Sequence, residues 1–179
     1  MDALLVVDMQ VGVFTSSSRY EPDSLVERIN LLSEHFRRTE GKVIFIQHDG
    51  TKENYLFPES DDWKIIPSLV VLQGDIRITK IANDSFYKTN LENLLRTNGI
   101  NRIYICGCAT DFCVNATIHS ALVKDFDVTV VEDSHTTADR PGFSAKDLIE
   151  FHNWLWGNLT PTEGKITLKK SQEILTVGR

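Results

Sequence analysis

Three residues that could together supply and activate a nucleophile stand at comparable places in this chain. Asp8 follows the apolar run Ala3–Val7, Lys80 follows the run Asp75–Thr79, and Cys113 closes the segment Gly107-Cys108-Ala109-Thr110-Asp111-Phe112-Cys113. A carboxylate can accept the thiol proton, an ammonium can stabilise the charges that develop, and the sulfur can then attack a carbonyl carbon. Cys113 falls in the first turn of a predicted helix. There the positive end of the macrodipole, unpaired N–H groups and a nearby Lys80 would lower its pKa and favour thiolate. Each residue also has a plainer reading: a core cysteine, a turn-capping aspartate, a solvated lysine. On spacing alone the plainer reading of Cys113 is favoured. What sets the three apart is that each follows a different predicted strand, and ligands of open α/β sheets bind beyond the carboxyl ends of strands.

The remaining polar and aromatic candidates are weaker. Cys106 and Cys108 read as packing residues in a strand and a tight turn. A metal site of the form C-x-C-x4-C with His119 fails, because His119 lies about 240° around the helix from Cys113. Gln10 is a plausible orienting side chain, and His48 and His135 are expected to line the mouth. His48-Asp49 has no second histidine nearby, so no metal is expected. Phe14, Trp63, Phe86 and Phe112 are candidates for an apolar pocket wall, Trp63 because loops over a site tend to close it. Trp154 and Trp156 are read as packing against the sheet or a partner subunit.

The elements that must position these groups alternate along the chain. Strands are predicted at Ala3–Val7, Val43–Ile46, Asp75–Thr79, Arg102–Cys106 and Val128–Val131, with a short last one at Lys165–Leu168 followed by a short helix. Helices are predicted from a Ser24/Glu27 capping box with Leu25, Ile29, Leu32 and Phe36 on one face, and from a Thr89/Glu92 box closed by Gly99. Two more run from Asp111 to about Lys124 and over Ser144–Trp156. This alternation predicts a doubly wound α/β sheet with helices on both faces. The stretch from His48 to Gly74 is too long for an ordinary connection and reads as a binding loop.

Composition narrows the function. The 179 residues are 41% apolar and 25% charged, which is globular, and a single domain over residues 1–179 is expected. A formal net charge of −6 argues against a nucleic-acid partner. The odd cysteine count, clustered between Cys106 and Cys113, argues for a reducing, cytoplasmic setting, and no apolar run is long enough for a membrane span.

Taken together, the motifs resemble those of the isochorismatase-like cysteine hydrolase family. They are Leu5-Val6-Val7-Asp8-Met9-Gln10, Lys80 with Asp84-Ser85-Phe86, Gly107-Cys108-Ala109-Thr110-Asp111-Phe112-Cys113-Val114, and Asp133-Ser134-His135. The resemblance reverses the balance on Cys113. It implies a three-layer α-β-α fold around a six-stranded parallel sheet, a homodimer or homotetramer, and no cofactor. It also implies an Asp8–Lys80–Cys113 catalytic triad, a non-proline cis peptide at Cys108–Ala109, and an oxyanion hole from the Ala109 and Cys113 N–H groups. Nicotinamidases in the family carry an Asp-x-His metal motif, where this chain has Gln47-His48-Asp49. Members that cleave a vinyl ether can lack the cysteine, so the presence of Cys113 tilts the expectation toward C–N hydrolysis of a small amide or lactam. A vinyl ether hydrolase, or an idle small-molecule binder, is the alternative.

Overall fold

The computed structural model describes residues 1–176. β1 (Asp2–Val7) is the centre of the molecule, and its alternating side chains explain why. Ala3, Leu5 and Val7 point into one apolar cluster, Leu4 and Val6 into another, and all five are inaccessible to solvent. A strand that buries both faces needs a layer on each side. Six parallel strands supply the sheet: β1, β2 (Lys42–His48), β3 (Ile76–Lys80), β4 (Arg102–Cys108), β5 (Asp127–Thr136) and β6 (Ile166–Lys169). Their order is β3-β2-β1-β4-β5-β6.

On one face, α2 (Pro22–Arg38) presents Leu25, Ile29, Leu32 and Phe36, and α6 (Ser171–Thr176) adds Ile174. The other face is covered by α3 (Leu91–Thr97), α4 (Asn115–Val123) and α5 (Ala145–Gly157), through Leu91, Leu95, Ile118, Ala121 and Trp156. This is the three-layer, doubly wound arrangement that the alternation predicts. Because β2 and β4 lie on opposite sides of β1, the chain leaves the sheet in opposite directions there and opens a crevice at the carboxyl ends.

Several local predictions need correction. α2 starts at Pro22, not at a Ser24 capping box. Its N-cap is Glu21 at φ 44°, and proline in the first turn supplies the helical φ and needs no hydrogen-bond acceptor. A short helix α1 (Val11–Thr15) was not predicted, being too brief to show periodicity. β4 and β5 extend past their apolar runs, with a register shift between Ile105 and Gly107. Gly107 has φ +114°, and a Cβ there would lie 2.2 Å from the Val7 carbonyl oxygen, so only glycine lets β4 pass this close to β1. Gly99 takes the left-handed conformation predicted for it, at φ +66°.

The long 48–74 segment is stitched to the start of the chain. Ile66 N–H donates to Met9 O at 3.0 Å, and Val11 and Gly12 N–H donate to Lys64 and Asp62 carbonyls, both at 2.8 Å. Among the described residues, no helix is long and apolar enough to cross a membrane.

Candidate active site

Asp8, Lys80 and Cys113 arrive at one point from three strand ends. Asp8 leaves β1 with φ 47°, a left-handed conformation uncommon outside glycine, while its N–H is held by Ile46 O at 2.9 Å. Lys80 is the last residue of β3 and pairs in register with His48 on β2. Cys113 lies on a π-turn, Thr110–Val114, closed by Val114 N–H to Ala109 O at 3.1 Å and continued by α4. The Cys108–Ala109 peptide before this turn is cis.

The lysine bridges the other two. Its Nζ lies 2.7 Å from Asp8 Oδ2 and donates to Cys113 Sγ at 3.2 Å and to Ala82 O at 2.9 Å. With His48 Nδ1 as a fourth and longer contact at 3.4 Å, the three N–H donors are fully engaged, and the side chain of Lys80 is wholly buried. Asp8 Oδ1 is also buried and, among the described residues, has no hydrogen-bond partner. That oxygen is an acceptor held ready in the site.

Protonation follows from this packing. Burial by itself depresses the Lys80 pKa, but Asp8 and Cys113 outweigh it and hold the ammonium above the usual lysine value. Burial and then the Asp8 carboxylate push the Cys113 thiol well above its ordinary value, and Lys80 offsets only part of this. The expectation of a lowered thiol pKa is therefore corrected. The helix-terminus argument omitted the cost of a further charge in a site already holding a buried ion pair. At rest Lys80 is an ammonium and Cys113 a thiol.

The triad opens on a cavity of about 430 Å³. Of the residues proposed from sequence, Asp8, His48, Ala109, Phe112 and Cys113 line it. His48 Nδ1 is 3.4 Å from Lys80 Nζ, and the exposed Phe112 ring carries the Arg140 guanidinium 5.0 Å from its centroid.

Lys80 lies behind the cavity wall, and five of the proposed substrate-binding residues do not line it, each for a packing reason. Gln10 is fully buried as a clamp: its amide donates to His48 O at 3.1 Å and Trp63 O at 2.9 Å, and accepts from His48 N–H at 2.7 Å. Phe14 packs against the apolar cluster under α2, leaving its neighbour Val13 on the cavity. Trp63 faces a separate cleft with Gln47 and Arg77. Phe86 is in the core, stacked on Phe126 at 5.8 Å.

His135 sits behind the Thr110–Val114 turn, bonded through Nδ1 to Thr110 Oγ1 at 2.9 Å and through Nε2 to Asn153 Oδ1 at 3.0 Å. Burial pulls its pKa down to about 4, so it is a neutral prop. Burial likewise pushes the Cys108 thiol up to about 12 and raises that of Cys106, in keeping with their reading as packing residues.

The cavity also holds residues that sequence reasoning missed, among them Arg19, Tyr55, Asn83 and Arg140. Burial raises the pKa of the Tyr55 hydroxyl, and the Tyr55 ring lies 6.2 Å from that of His48. The turn that brings Tyr55 there depends on Gly50, where a Cβ would meet Tyr55 O at 2.5 Å. Asn83 Oδ1 lies 3.5 Å from Cys113 Sγ, just after the strand that ends in Lys80. Arg140 Nε pairs with Asp111 Oδ2 at 2.7 Å, tying the Thr110–Val114 turn to the loop after β5. Among the described residues, no group of three or more His, Cys, Asp or Glu side chains is placed to hold a metal ion.

The family model of the isochorismatase domain matches residues 2–165, nearly the whole chain. The chain belongs to the isochorismatase family of cysteine hydrolases. An uncharacterized isochorismatase family protein of Bacillus subtilis strain 168, YddQ, is 30% identical, the match covering 75% of this chain and 77% of that one. A streptothricin hydrolase of Streptomyces noursei is 31% identical over 79% of this chain and 56% of its own length. Among solved structures, N-carbamoylsarcosine amidase from Thermoplasma acidophilum is 26% identical with a TM-score of 0.74, covering 95% of this chain and 96% of that one. The all-parallel sheet is thus that of other isochorismatase-family hydrolases.

Proposed function

We propose that this chain is a thiol amidohydrolase that cleaves a C–N bond of a small amide or lactam through a Cys113 thioester. The observation that carries the reading is the Lys80 ammonium seated between Asp8 Oδ2 and Cys113 Sγ, with Asp8 Oδ1 buried and unpartnered. The relatives named as a streptothricin hydrolase and an N-carbamoylsarcosine amidase support the same class.

In this scheme a substrate carbonyl enters over Cys113. The S–H proton passes to Asp8 as sulfur bonds to the carbonyl carbon, and the oxyanion is received by the Ala109 and Cys113 N–H groups. Lys80 balances the Asp8 carboxylate before the transfer and the charge that develops on sulfur as its proton leaves. The C–N bond then breaks, its nitrogen taking the proton from Asp8, and ammonia or an amine leaves. Water next attacks the thioester, again giving a proton to Asp8, and the C–S bond breaks as sulfur takes that proton back. The raised thiol pKa suits this order, because the proton stays on sulfur until a carbonyl is present to receive the electron pair.

The test is ammonia release, or ring opening, across a panel of primary amides and small lactams, with Cys113→Ala as control. Release by the native protein and none by the variant is the expected outcome. Equal turnover by the variant would sink the scheme. Silence from both redirects the site to another scissile bond, the vinyl ether first.

A further inference from the structure

We infer that Arg19 makes this site selective for a substrate carrying a carboxylate in addition to the scissile amide. This inference rests on the amidohydrolase reading for the bond cleaved, but not for the anion bound.

The charges around the cavity cancel except at one place. Asp8 is paired with Lys80, and Arg140 with Asp111. His48 Nε2 lies 3.4 Å from Glu53. Arg19 lines the same cavity and, among the described residues, makes no ion pair. In a chain of net charge −6, an uncompensated cation at the mouth of a reactive thiol is a specific feature.

The guanidinium is also aimed. Nε and Nη2 both donate to Val13 O, at 3.0 and 2.5 Å, which fixes the plane of the group and leaves its other N–H donors without a protein acceptor among the described residues. It is partly buried, and its positive charge is felt at Cys108, in the back wall beside the nucleophile turn. Ser17, on the same loop, lines the same cavity. A planar fork of free N–H donors is the shape that receives a carboxylate in a bidentate manner. Such a contact orients a small molecule by its charged end and leaves its amide end over Cys113.

The test uses two series of amides of increasing length. One comprises malonamate, succinamate, glutaramate and adipamate; the other has a terminal methyl in place of each carboxylate. The readout is the ratio of kcat/KM for the carboxylate over the methyl compound. The native protein should favour the carboxylate at one chain length, and Arg19→Ala should cut the ratio by about 10- to 100-fold. Arg19→Lys, which keeps the charge without the fork, should retain part of it.

In parallel, binding of malonate, succinate, glutarate and adipate to Cys113→Ala protein is measured by calorimetry, with and without Arg19→Ala. A ratio unchanged in Arg19→Ala, or dicarboxylate binding equal in both, overturns the inference even if amides are turned over. Arg19-dependent binding without hydrolysis of any amide supports the anion site while removing the amidohydrolase reading. Absence of both binding and hydrolysis overturns both.

Discussion

Replacing Lys80 with methionine isolates the energetics on which the site depends. The Lys80 side chain has no exposed surface and that of Asp8 only 4%, with 2.7 Å between the charges. Methionine keeps the length and the apolar stem but strands the Asp8 carboxylate, and Ala82 O loses its donor. Removing one partner of a buried pair costs about 3–5 kcal/mol, because the remaining charge has neither water nor a counterion. For a chain of this size that corresponds to a fall in Tm of about 6–20 °C. Thermal and urea unfolding at neutral pH read the change. Asp8→Asn provides the second arm, since asparagine tolerates the left-handed backbone found at Asp8. The double variant Asp8→Asn/Lys80→Met carries no buried charge here and should be more stable than Lys80→Met alone, although neither turns over substrate. If Lys80→Met melts within about 2 °C of the native protein, or the double variant is no more stable than the single, the pair is not the buried, interdependent unit argued here.

Two further outcomes follow from protonation. Asp8→Asn removes the carboxylate that, after burial, does most to hold the Cys113 thiol up, and leaves Lys80 as an unopposed cation beside the sulfur. Turnover should be lost while alkylation of Cys113 by iodoacetamide at neutral pH becomes faster, as followed by mass spectrometry; slower alkylation would contradict the assignment of charges. His135 is pulled down from 6.5 to about 4 by burial, so below pH 6.5 the unfolded chain takes up a proton that the folded chain refuses. Its contribution to stability is complete above that pH and declines as pH falls toward 4, by about 3 kcal/mol in all. Urea midpoints measured across this window should fall less steeply for His135→Gln than for the native chain, and equal slopes would refute the buried neutral histidine.

The sequence by itself carried the layer order and the points where chemistry gathers. Unbroken apolar runs such as Ala3–Val7 identify strands buried on both faces, and amphipathic helices between them require parallel connections. Asp8, Lys80 and Cys113 could be singled out because each ends a strand or lies in the turn that follows one, and in this topology those ends meet.

What the tertiary structure decided is which side chains face the cavity and which proton sits where. Gln10 and His135 carry polar groups suited to a site, yet unpaired backbone and hydroxyl groups behind the wall claim both of them. Arg19 and Tyr55 belong to irregular segments, where no periodicity tells which way a side chain points. They reach the cavity only because the 48–74 segment and the loop after α1 fold over the strand ends. The thiol pKa likewise depends on burial and on through-space distances to two charges distant in sequence. Local patterning records the backbone's hydrogen-bonding and apolar needs, whereas desolvation and charge proximity exist only once the chain has closed on itself.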